Sequence, residues 1–189
     1  MDIIFASTLF VALAEIGDKT MLLAIVLASR FRRPLPIIAG ILFATLANHA
    51  LAAWAGAAIA GLLDGRWFRI AVALGFFVMA AWALVPDTFD DSGSVGGKRR
   101  FGAFLTTLTA FFLVEIGDKT QIATMALGAH YKSVELVTIG TTLGMMLANV
   151  PAVFLGDRIT RIVPLTYVRI GAAAIFAGLG VWGLAEALC

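Results

Sequence analysis

The segment Glu15-Ile16-Gly17-Asp18-Lys19-Thr20 returns one hundred positions later as Glu115-Ile116-Gly117-Asp118-Lys119-Thr120. Each copy begins near the middle of an otherwise uncharged stretch, about residues 3 to 28 and about 103 to 128. A helix of about 20 apolar residues crosses a bilayer, so both stretches are expected to span a membrane with two acids and a base near its midplane. On insertion scales one charge at a helix centre costs roughly 2.5 to 3.5 kcal/mol, and six facing lipid would cost on the order of 15 kcal/mol or more. They must therefore face a protein or water-filled interior.

Composition supports the same class. With 61% hydrophobic and only 14% charged residues, and a mean hydropathy of +0.97, the chain is no soluble domain. The formal net charge of +2 does not indicate a nucleic-acid partner, because the basic residues sit in short loops beside apolar runs. Cys189 is the single cysteine, which excludes an intramolecular disulfide and a thiolate metal cluster. The first apolar run lacks a basic leader and carries the acidic motif where a cleavage site would stand, so no cleaved signal peptide is expected.

Apolar runs separated by short polar or proline-containing turns predict six spans, at about 3–28, 36–62, 67–85, 103–128, 134–156 and 165–186. Residues 86–102, rich in Gly, Ser and charge, have the composition of a flexible connector. The expected organisation is a first repeat at 1–85, a linker at 86–102 and a second repeat at 103–189. Landmarks beyond the motif recur at an offset of 100 or 101: Leu46-Ala47-Asn48 with Leu147-Ala148-Asn149, Arg69-Ile70 with Arg169-Ile170, Trp82 with Trp182, and Leu84 with Leu184. An odd number of spans per half turns the second half over, so the predicted fold is an all-α membrane protein of six transmembrane helices in two inverted three-helix repeats. Nine Lys and Arg fall on the side of the first, third and fifth loops (Arg30, Arg32, Arg33, Lys98, Arg99, Arg100, Arg158, Arg161, Arg169) against three opposite (Arg66, Arg69, Lys132). This places the linker in the cytoplasm and both termini outside it.

On a continuous helix Glu15 would stack with Asp18 and Lys19, and Glu115 with Asp118 and Lys119. Gly17 and Gly117 permit either a close approach of backbones or an unwound turn offering carbonyl oxygens to an ion. Thr20 and Thr120 add hydroxyls, and Asn48 and Asn149 bring amides from the next span of each half. With acids ionised and lysines protonated the two copies sum to minus two, which one divalent cation neutralises. All these donors are hard oxygens, which suits calcium or manganese, magnesium less because it holds its water tightly, and disfavours zinc and copper. A Glu four residues before a Lys is the favourable helical order, and the lysines are expected to ease the cost of an empty site. More ordinary roles are expected elsewhere: head-group snorkelling for Arg69 and Arg169, interfacial anchoring for Trp82 and Trp182, and packing for His49.

Two copies of ExGD[KR][TS] in a small six-span chain with an inverted repeat resemble the Gdt-type family of manganese and calcium transporters, and the resemblance covers nearly the whole chain. It implies cation/proton exchange, with Glu15, Asp18, Glu115 and Asp118 holding the ion and Thr20 and Thr120 assisting. The residue after the motif is Met21 in one half and Gln121 in the other. The half-sites are thus not equivalent, and Gln121 joins Asn48 and Asn149 among the candidate ligands. An intramembrane aspartyl enzyme is the first rival, through Gly17-Asp18 and Gly117-Asp118. It lacks the glycine two positions before, where Glu15 and Glu115 stand, and neither Tyr131 nor Tyr167 is followed by Asp. A passive channel is the second rival. The preferred expectation is a proton-coupled exporter of Mn2+, Ca2+ or both in a bacterial inner membrane. Its partners are the divalent ion, protons and the lipid bilayer, with no cofactor and no nucleic acid; a homo-oligomer is compatible with the sequence.

Overall fold

The structure is a computed structural model that describes residues 2–62, 65–85, 102–155 and 165–188. Among the described residues it is helical throughout: α1 (Ile3–Glu15), α2 (Lys19–Phe31), α3 (Pro34–Leu62), α4 (Arg66–Ala83), α5 (Ala103–Glu115), α6 (Lys119–Tyr131), α7 (Val134–Leu155) and α8 (Leu165–Leu188). Four of these, α3, α4, α7 and α8 over Ile170–Leu188, are long and apolar enough to cross a membrane, while α1 and α5 are shorter apolar helices. Linker residues 86–101 lie outside the described residues, and so do Arg158, Arg161 and Cys189. Five of the basic residues in the charge count that set the orientation, Lys98, Arg99, Arg100, Arg158 and Arg161, therefore fall outside them.

The stretches 3–28 and 103–128 are not continuous helices. Each breaks within its motif. Ile16 and Asp18 take extended backbone around Gly17 at φ 83°, and Ile116 and Asp118 do the same around Gly117 at φ 78°. That left-handed region costs an L side chain roughly 1–2 kcal/mol and a glycine nothing. Of the two roles open to these glycines, unwinding is the one adopted. The Asp18 N–H still donates to the Glu15 carbonyl at 3.0 Å, and the Asp118 N–H to the Glu115 carbonyl at 3.1 Å. These bonds hold each break to a single turn. A half-helix of 13 residues extends roughly 20 Å, short of a hydrocarbon core of about 30 Å. α2 and α6 end on Arg32 and Lys132, both left-handed, whose N–H groups return to the Ala28 and Gly128 carbonyls at 2.9 Å.

Small residues let the backbones close. Gly40 of α3 lies against Phe104 and Thr107 of α5, and Gly140 of α7 lies against Ile4 and Ser7 of α1. All three partnered positions differ by 100, so the two halves exchange equivalent contacts. Gly128 of α6 sits on the Ala53 backbone of α3, and Gly56 of α3 on the Met125 backbone of α6. Two apolar clusters result. One gathers Phe10, Phe76, Leu127, Met145 and Phe176, with the Phe10 and Phe176 ring centroids 3.9 Å apart edge to face. The other gathers Met21, Leu23, Leu27, Ile37, Ile41 and Phe111. Phe10 and Val11 precede the first motif in one cluster, and Met21 and Leu23 follow it in the other. For the second motif the order reverses, from Phe111 in the second cluster to Ala123 and Leu127 in the first. Both motifs therefore lie where their chain passes from one core to the other.

Candidate functional site

The breaks turn four helix ends toward one another. Asp18 and Asp118 occupy the N-cap positions of α2 and α6, where a carboxylate usually bonds the first free N–H groups. Neither does so. Their side chains instead reach across the repeats: Lys119 Nζ lies 2.5 Å from Asp18 Oδ1, and Lys19 Nζ lies 2.8 Å from Asp118 Oδ1. The expected stacking of Glu15 with Lys19 depends on an unbroken helix, and the left-handed Gly17 removes it. Each lysine serves the other half's aspartate.

The remaining predicted residues assemble around these pairs. Glu15, Asp18, Thr20, Glu115, Thr120 and Asn149 are fully buried, and Asn48 and Asp118 nearly so. The Thr120 hydroxyl is 3.1 Å from both Glu115 Oε2 and Asp118 Oδ2, whereas the Thr20 hydroxyl reaches only Asp18 Oδ2, at 3.5 Å. Asn149 donates to Glu15 Oε1 at 3.3 Å and to the Met145 carbonyl at 3.1 Å. Its counterpart Asn48 does otherwise. It donates to the Phe112 carbonyl at 3.0 Å and accepts from Gln121 Nε2 at 3.3 Å, while Gln121 Oε1 accepts the Gly117 N–H at 2.8 Å. Gln121 thus braces the second break, which the first half, with Met21 there, leaves unbraced.

Several buried atoms lack a hydrogen-bond partner within the protein: Glu15 Oε2, Glu115 Oε1, Asn149 Oδ1 and both nitrogens of His49. Groups of this kind are rare in interiors, where a water or an ion commonly satisfies them. Among the described residues no three His, Cys, Asp or Glu side chains converge closely enough to hold a metal as they stand. The lysine ammoniums lie on the aspartates, in the place a cation would take. His49, expected only to pack, is fully buried on α3 with Nε2 3.9 Å from Glu115 Oε2. That is too long for a hydrogen bond. A signal for it existed in the sequence, since its position in the second half is Val150.

The description "Divalent cation/proton antiporter GDT1" matches the chain over residues 3–91 and 103–189. A Vibrio cholerae protein named "Putative manganese exporter" is 49% identical over 177 residues, covering 93% of this chain and 87% of that one. GDT1-like protein 3 of Oryza sativa is 29% identical over 95% of this chain and 72% of its own length. GDT1-like protein 5 of Arabidopsis thaliana is 27% identical over 91% and 90%. No solved structure matches the chain. With apolar membrane-length helices and a match across both halves, the chain is a transporter rather than an enzyme, and it belongs to the GDT1 family of divalent cation/proton antiporters.

Proposed function

We propose that the protein exports Mn2+, and Ca2+ as a second substrate, in exchange for protons. The ion is held between the two broken helices by Glu15, Asp18, Glu115 and Asp118, assisted by Thr20, Thr120, Asn48, Gln121 and Asn149. Six spans carry it, α1–α2, α3 and α4 in one repeat and α5–α6, α7 and α8 in an inverted second. The linker faces the cytoplasm and both termini lie outside, in the inner membrane where the host is a bacterium. The exchanged glycine contacts support the inverted relation, and the 49% identity to the Vibrio cholerae protein supports manganese.

The observation that carries the reading is the crossed Lys–Asp exchange. Four carboxylates and two ammoniums leave a net of minus two in a buried space, which one divalent ion balances. Lys19 and Lys119 are the first residues of α2 and α6, at the positive end of each helix dipole, where a cation is disfavoured by a few tenths to about 1 kcal/mol. They hold the empty site together and are poised to yield to a stronger cation. Protons and metal then compete for the same carboxylates, and protons entering from outside release the ion there.

Mn2+ flux into proteoliposomes, with and without an imposed pH gradient, tests this. Saturable flux that follows the gradient is expected, and Asp18→Asn and Asp118→Asn should each abolish it while leaving folded protein. The reason is that a half-neutralised cage leaves uncompensated buried charge on metal binding. Flux that neither saturates nor responds to pH would identify a channel instead.

A further inference from the structure

We infer that His49 is a ligand of the transported ion and that it sets the preference for manganese over calcium. This rests on the metal site proposed above and adds to it a donor that neither motif contains. The imidazole is fully buried, and neither ring nitrogen has a hydrogen-bond partner in the protein. Burying a polar group unsatisfied is unfavourable, so the ring calls for a partner that the protein itself does not supply. Thr45, one turn earlier on the same face of α3, is equally buried with its hydroxyl unbonded.

Geometry gives the ring its direction. Nε2 stands 3.9 Å from Glu115 Oε2. Two ligand atoms each about 2.2 Å from one ion are separated by about 3.1 Å at a right angle and about 4.4 Å when opposed. The observed gap falls between these limits, so an ion bridging the two atoms needs only small side-chain adjustments. Glu115 Oε1 is itself unpartnered and Thr120 already touches Oε2, so carboxylate, hydroxyl and imidazole are close neighbours. The glutamate of the first motif meets no such ring: Glu15 receives the Asn149 amide, and position 150 is Val.

The chemistry then decides between ions. Calcium takes oxygen ligands almost exclusively, whereas manganese, the weakest binder of the first-row divalent ions and chiefly an oxygen binder itself, accepts a neutral imidazole more readily than calcium does. An otherwise all-oxygen cage admits both, and a single nitrogen tilts it toward manganese. His49 thus converts a general divalent site into a discriminating one.

The chain has two histidines, which makes the test direct. Purified full-length protein carrying 15N-labelled histidine is loaded with Mn2+ and the electron spin echo envelope modulation recorded. The labelled protein should show directly coordinated 15N in place of the 14N pattern of unlabelled protein. His49→Gln should lose it, and His130→Gln, whose ring packs against Tyr131 and Trp182, should keep it. In competition binding His49→Gln should lower the Mn2+ over Ca2+ preference by about tenfold, or about 1.4 kcal/mol, while still binding Ca2+. Bound Mn2+ that Glu115→Gln abolishes but that shows no histidine nitrogen overturns the role of His49 and leaves the carboxylate site intact. Mn2+ binding indifferent to Glu115→Gln, or no Mn2+ binding at all, overturns both.

Discussion

Lys19 and Lys119 make the same bond to the same residue type, but in different surroundings. Lys119 and Asp18 are 7% and 0% exposed at their side chains, against 28% and 4% for Lys19 and Asp118. Removing one partner of a buried ion pair is destabilising by about 3–5 kcal/mol, because the other charge is left uncompensated, whereas solvent screens a partly exposed pair. Lys119→Gln should therefore lower the metal-free unfolding temperature distinctly more than Lys19→Gln, and saturating Mn2+ should recover most of the difference. Equal shifts in thermal unfolding of the two detergent-solubilised variants would show that the pairs are energetically alike. The crossed identity of these pairs was not legible in the sequence. The motif supplied an acid and a base four residues apart, and spacing along one helix could not reveal that the helix ends between them. His49 was half hidden for a related reason: Val150 at its repeat position marks it as singular, but a lone histidine in an apolar run gains its meaning from what stands opposite it.

At the scale of the element, the break at each motif is the device that aims the carboxylates. A Cβ added to Gly117 would meet nothing within 4 Å, so the glycine is required by its φ of 78° and not by space. Gly117→Ala should accordingly lose transport through backbone strain of about 1–2 kcal/mol, while Gly117→Asn, which tolerates the left-handed region better, should keep most of it. Flux of the two variants, compared at equal reconstituted amounts, checks this; a lower rate for Asn than for Ala would show that side-chain volume controls the position. Most of the fold at this scale was readable. The predicted segments 36–62, 67–85, 134–156 and 165–186 coincide with helices within a few residues, because hydrophobic length and turn residues report directly on burial. The glycines announced an irregularity without saying which, since close packing and unwinding both call for a missing Cβ.

For the whole molecule, the two halves exchange contacts but not equally. α4 and α8 pack on each other, and α4 also meets α6 while α8 meets α1; α2 and α5 receive no comparable cover from them. The second break is the more open at its backbone, with Ile116 55% exposed and Gly117 exposed, whereas Ile16 is half-buried and Gly17 buried. The difference between Met21 and Gln121 announced that the halves are not equivalent, but recurring landmarks alone do not say which neighbours each half receives.

The crossed pairs also bear on how the protein is made. When the first half enters the membrane, Asp18 has no Lys119 and Lys19 no Asp118, so two charges await partners that are synthesised a hundred residues later. Until then α1 and α2 are held by little, since their principal neighbours α5 and α7 are not yet present. Synthesis thus passes through a stage in which the first half is a client of the insertion machinery and of membrane proteases. A fragment ending at residue 85 should be degraded rapidly in cells and rescued by coexpressing residues 103–189, with pulse-chase lifetimes as the readout. A long-lived solitary fragment would mean that the first motif finds its counter-charges without the second.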